Sequence, residues 1–156
     1  MIIRRHLRSL RLAEWIVCLL TTAGIAAGCS RYHEDEWSRK WPPRHPAQGL
    51  VELDGQPLDG ATVTFFTERA DRGNEPFSAV GITDSAGRFV LKTFRPNDGA
   101  VAGTHIVMIE KSSYDDKTGR VTAHLPRRYA RQKTSGLTAE VTEQGPNDFA
   151  FRLESK

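Results

Sequence analysis

From residue 47 to residue 156 the sequence predicts an all-β, seven-stranded sandwich. Short runs in which apolar and polar residues alternate recur along this stretch, the mark of half-buried strands. Gly, Asp, Asn and Pro separate the runs, at the spacing of two packed sheets. No stretch between them carries a 3.6-residue apolar period. About 110 residues can bury a sufficient core without covalent staples.

The elements follow in order. Leu50 to Leu53 is the first strand, ended by the turn pair Asp54-Gly55. Ala61 to Glu68 is the second, with Ala61, Val63 and Phe65 on one face. A polar loop, Arg69 to Pro76, leads to the third run, Phe77 to Thr83. Asp84-Ser85-Ala86-Gly87 is a tight turn, because Asp bonds its own backbone and Gly takes positive φ. Arg88 to Thr93 places Phe89 and Leu91 on one face, and Pro96-Asn97-Asp98-Gly99 is a further loop. Thr104 to Lys111 is strongly β-branched, and its His105 shares parity with Val107 and Ile109, so it is expected to point inward. Leu137 to Thr142 and Phe149 to Leu153 complete the set.

The segment Ser112 to Gly136 shows no strand pattern, and loops of that length in compact domains are often functional. It carries Lys117, Arg120, Arg127, Arg128, Arg131 and Lys133 with no acid among them, and His124 and Tyr129 lie in the same stretch. These eight residues form a candidate binding patch for anionic lipid headgroups, acidic glycans or an acidic partner. The alternative is a solvated loop pinned to the sandwich by Leu125, Pro126 and Tyr129.

The first 28 residues have the three parts of an export signal. Arg4, Arg5, Arg8 and Arg11 form a basic start, Trp15 to Ala27 is apolar, and small residues precede Cys29. These thirteen residues, interrupted only by Thr21, Thr22 and Gly24, span about 20 Å as a helix, short of the roughly 30 Å hydrocarbon core. An uncleaved single-span anchor is the competing reading. The run Ile25-Ala26-Ala27-Gly28-Cys29-Ser30 resembles the lipobox that closes a bacterial lipoprotein signal peptide, with Ala26 where Leu is commonest. That resemblance implies a Sec-exported chain cut before Cys29, a lipidated (palmitate-bearing) Cys29, and a cell-envelope protein anchored in the membrane. It would face the periplasm or the cell surface, and Ser30 suits sorting to the outer membrane. Residues 29–46 read as the lipidated cysteine and a Pro-rich tether, with Trp37 and Trp41 either at the lipid interface or simply exposed.

Loss of this segment changes the charge. The whole chain has 22 basic and 19 acidic residues, but residues 1–28 hold four Arg and one Glu, which leaves 18 of each. A neutral mature chain gives no case for nucleic-acid binding. Cys18 leaves with the signal and Cys29 is acylated, so the domain has no thiol for a disulfide, a zinc cluster or a nucleophile. The Asp residues of the turns, Asp54, Asp59, Asp84 and Asp98, lack the regular spacing of a calcium loop. No metal and no cofactor is expected.

The runs VELDGQPLDGATVTFF from Val51, GITDSAGRFVL from Gly81 and DGAVAGTHIVMI from Asp98 resemble a carboxypeptidase regulatory-like domain. LPRRYARQKTSGLTAEV from Leu125 and NDFAFRL from Asn147 resemble a lipoprotein subfamily of that group. The resemblance covers nearly all of residues 47–154 and departs at His105, where an aromatic such as Tyr is usual. It implies a transthyretin-like or immunoglobulin-like β-sandwich and export, and it brings no catalytic residues.

Function is therefore expected to be non-catalytic: a binding or structural module with an envelope protein or an anionic surface as partner. Two rivals stay open. One is a hydrolase built on the 112–136 loop, for which Ser135, His124 and Asp115 supply the residue types of a triad but no nucleophile-elbow motif. The other is an adhesin or assembly subunit that pairs through a sheet edge. A Lys–Asn isopeptide cross-link at Asn147, with Glu110 as the acid beside it, is not expected, because no lysine lies between Ala47 and Asp54.

Overall fold

In a computed structural model of the protein, the described residues are 41–67 and 77–156. The expected signal segment, Cys29, Trp37 and the loop Arg69 to Pro76 lie outside them. Among the described residues there is no helix, and twelve strands run in order. These are β1 (Arg44–His45), β2 (Ala47–Leu53), β3 (Gln56–Pro57), β4 (Thr62–Thr67), β5 (Ser78–Ile82), β6 (Arg88–Val90), β7 (Ala100–Val101), β8 (Gly103–Glu110), β9 (Ser112–Asp115), β10 (Arg120–Ala123), β11 (Leu137–Val141) and β12 (Asn147–Leu153). Each of the seven runs expected from alternation contains a strand, and five short strands join them.

One four-stranded sheet has the order β11-β8-β4-β5, antiparallel throughout. The other is built on β2. Strand β12 lies parallel to β2 on one side, from Asn147 opposite Ala47 to Leu153 opposite Leu53. On the other side β3 and β6 pair antiparallel with β2's two ends. A bridge between Val80 and Lys92 joins the sheets at one corner.

Alternation in sequence becomes alternation in burial. In β4 the inward set is Val63, Phe65 and Thr67, and in β8 it is His105, Val107 and Ile109. Phe65 is fully buried, and its ring meets Phe89, Phe149 and Phe151 of the opposite sheet at centroid distances of 6.2, 5.2 and 5.9 Å. Tilted and edge-on rings at such distances add to the burial of their apolar area. This aromatic cluster ties the two sheets face to face. Gly49 makes room for it: a Cβ there would stand 2.8 Å from the Phe89 ring and collide with the Phe149 carbonyl.

The turns work by backbone chemistry. Asp54 and Gly55 both take positive φ, 51° and 78°, as a two-residue hairpin loop between β2 and β3 requires. Asp84 Oδ1 accepts from the backbone N–H of Ala86 and Arg88 at 2.9 and 2.8 Å.

The compact unit begins at Pro42. Arg44 and His45, which read as tether in the sequence, belong to it. They pair with Val101 and Ala100, and Arg44 Nε donates to Asp98 Oδ2 at 3.2 Å. The same Asp98 carboxylate accepts from the backbone N–H groups of Thr93, Phe94 and Arg95.

Candidate functional site

The expectation of a strandless segment from Ser112 to Gly136 needs correcting. Its first half is a hairpin in which β9 and β10 pair from Ser112 opposite Ala123 to Asp115 opposite Arg120. Asp115 makes the turn: its Oδ1 accepts from the N–H of Lys117 and Thr118, and its carbonyl accepts from Gly119, which has φ 66°. The donors on Lys117 first, and then Thr118, hold the Asp115 carboxyl below the usual carboxylate range. All eight strand residues are exposed. Alternation cannot reveal such a hairpin, because neither face is buried. The available signal was Asp115 and Gly119 bracketing a turn between Tyr114 and Val121.

The second half is a series of turns packed on the sandwich. Leu125 and Tyr129 are buried, Pro126 is half-buried, and Ile109 N–H donates to the Tyr129 carbonyl at 3.0 Å. The Tyr129 hydroxyl accepts from the N–H of Glu154 and from Arg128 Nη2, both at 3.0 Å. Arg128 lies 4.6 Å from the Tyr129 ring centroid and also donates to the carbonyls of Glu154 and Lys156. Both residues therefore fasten the last residues of the chain to this loop.

The eight residues of the candidate patch thus separate into groups. Lys117 and Arg120 sit on the hairpin beside Asp115 and Asp116, which balance their charge locally. Arg127, Arg131 and Lys133 are exposed on the turns that follow, and Arg128 and Tyr129 serve structure. His124 is exposed, with Nε2 2.9 Å from Ser113 Oγ.

The residue types of a triad have separate engagements. Ser135 is buried with Oγ accepting from Leu137 N–H at 3.4 Å, and Asp115 is bonded to its own turn. His105 points inward, as its parity predicts. Its Nε2 lies 2.8 Å from the Val101 carbonyl, which only accepts, so Nε2 carries the proton. Its Nδ1 then accepts from the Thr67 hydroxyl at 3.2 Å, the residue opposite it in register. Burial lowers the His105 pKa, and the Val101 bond opposes that in part.

Asn147 is bonded at both ends of its amide. Oδ1 accepts from Thr142 N–H, and Nδ2 donates to the carbonyls of Pro46 and Thr142. It clamps β12 to the entry of β2. The turn carboxylates have similar local duties, with Asp54 accepting from Ser155 N–H at 3.1 Å. Among the described residues, no three His, Cys, Asp or Glu side chains group as a metal site.

No family model matches the chain, and no curated protein matches it significantly. A 9R-lipoxygenase from Cyanothece PCC8801 is a similar solved structure, at 13% identity and a TM-score of 0.35 over 72% of this chain. The chain spans 16% of the length of that protein. At that score the likeness carries no argument about fold or reaction.

Proposed function

We propose that the protein is a lipid-anchored envelope protein whose transthyretin-like β-sandwich serves as a non-catalytic binding or structural module. The observation that carries this reading is the run Ile25 to Ser30 after a basic and then apolar segment. Cleavage before Cys29 and acylation of its thiol and amine give a chain held by two or three acyl groups. One acyl chain alone binds a bilayer only marginally. The module is of the carboxypeptidase regulatory-like kind. Support comes from the two sheets and from the turns at Asp54-Gly55 and at Asp84, which fall where the motif has them.

The functional surface is the basic segment after β8. His105, Tyr129, Ser135 and Asn147, the polar groups of the domain best placed for chemistry, hold backbone or side-chain partners within the fold. The exposed Arg127, Arg131 and Lys133 of that segment are suited to binding an anionic partner.

The test is the intact mass and membrane partition of the protein beside Cys29→Ala in a bacterial host. The expected result is a cleaved, acylated, membrane-bound wild type and a variant that is neither cleaved at Cys29 nor acylated. Equal behaviour of the two would remove the lipoprotein reading in favour of an ordinary signal or an uncleaved span.

A further inference from the structure

The hairpin of β9 and β10 is amphipathic although it is buried on neither side. Ser112, Tyr114, Val121 and Ala123 share one face, and Ser113, Asp115, Arg120 and Thr122 share the other. Tyr114 and Val121 stand directly opposite each other and are 64% and 65% exposed, among the most exposed large apolar side chains described. A cross-strand aromatic–aliphatic pair normally stabilises a sheet by covering apolar surface. This one is presented to the outside, in a segment whose net charge is positive. Lys117 lies at its tip, and Arg127, Arg131 and Lys133 lie in the turns that follow its return to Lys111, where His124 N–H donates to the Lys111 carbonyl.

We propose that this hairpin docks the domain on an anionic lipid bilayer, with Tyr114 and Val121 at the headgroup boundary and the flanking Lys and Arg against lipid phosphates. The proposal rests on the lipid-anchored reading and names the partner of its basic segment. Three considerations select a bilayer. First, charge is complementary: residues 42–156 carry 15 basic and 15 acidic residues, yet the stretch from Ser112 to Lys133 has six bases against two acids, Asp115 and Asp116, and its Arg127, Arg131 and Lys133 are exposed. Second, a Tyr and a Val bury a few hundred Å² at most, whereas a stable dimer needs about 800 Å² from each partner. A bilayer boundary accepts a small apolar tip flanked by cations, since tyrosine rings favour that depth and each nearby cation is drawn to anionic lipid. Third, the chain from Cys29 to Arg44 reaches roughly 45 Å if extended, more than the width of a domain of this size. The anchor alone leaves the orientation of the domain open, and the hairpin would set it.

The test uses residues 42–156, a compact unit with its own core and without tryptophan. It is sedimented with vesicles of phosphatidylethanolamine and phosphatidylglycerol in equal parts, and with pure phosphatidylcholine. The expected result is salt-sensitive binding to the anionic vesicles alone, about tenfold weaker in Tyr114→Ser/Val121→Ser. In a Tyr114→Trp variant, the single indole should shift its emission to the blue on the same vesicles. That readout stands even if the double variant folds poorly. No binding, or binding with neither a loss in the double variant nor an indole shift, overturns the proposal. Self-association that the double variant abolishes, without vesicle binding, also overturns it and assigns the face to a second copy. Because residues 1–41 are missing from this experiment, its failure leaves the acylation test untouched, and the reverse holds too.

Discussion

His105 shows how one polar residue is made compatible with an aromatic core. Its neutral ring donates to Val101 and accepts from Thr67, and its centroid lies 5.7 Å from that of Phe65. Protonation would put a second N–H against Thr67 and a charge beside the rings, which is why burial lowers its pKa. The linkage has a definite sign. A folded-state pKa below the unfolded value means the unfolded chain binds more protons as pH falls, so the contribution is complete above about pH 6.5. It is lost as pH drops from there toward the folded pKa, at no more than about 1.4 kcal/mol per pH unit. Urea unfolding between about pH 7.5 and about pH 5 should show wild type losing stability in this window while His105→Phe changes less. The variant should start lower, because Val101 and Thr67 lose their partner. Equal slopes for the two proteins would mean that His105 does not titrate on unfolding in this range.

At the scale of elements, the strands that were legible in the sequence are those whose side-chain alternation coincides with burial. β4 and β8 are the clearest, since Val63, Phe65, Val107 and Ile109 are all inward and fully buried. The short strands were not legible, for two different reasons. β1 and β7 are two residues each and exist through their pairing across some 55 positions, which no local pattern encodes. β9 and β10 are exposed on both faces, so their apolar residues number one Tyr, one Val and one Ala, and no period emerges. The same limit applies to the candidate site. A run of cations is visible in the sequence, but the diversion of Arg128 to the carbonyls of Glu154 and Lys156 depends on where β12 ends. Gly49 is a further case, since it sits in mid-strand with ordinary φ and its need for smallness comes from Phe89 and Phe149. Gly49→Ala should therefore destabilise the domain by about 2–3 kcal/mol, the cost of overpacking. Thermal or urea unfolding would read it, and a change below about 0.5 kcal/mol, ordinary for surface sites, would show that the Phe89 ring and β12 can yield.

For the molecule as a whole, the pairing of β2 with β12 is the long-range contact that closes the fold. It joins the first long strand to the last, parallel over seven residues, and Asn147 ties the start of both to Pro46. The entry of the chain is fixed just before this closure. Arg44 bonds Asp98 and lies 5.4 Å from the Phe94 ring, while His45 pairs with Ala100. The Asp98 carboxylate already gathers three backbone N–H groups, so removing Arg44 would take the cationic partner from a half-buried carboxylate. A domain cut at residue 47, where apolar alternation begins, would thus lack a fastening that the compact unit from Pro42 possesses. We expect residues 47–156 to unfold about 1–3 kcal/mol more easily than residues 42–156, with Arg44→Ala accounting for about half of the difference. Urea midpoints of the three proteins measure this, and m-values shared between them would show that the loss is of stability rather than of compactness. Equal midpoints for the 42–156 and 47–156 chains would return residues 42–46 to the tether.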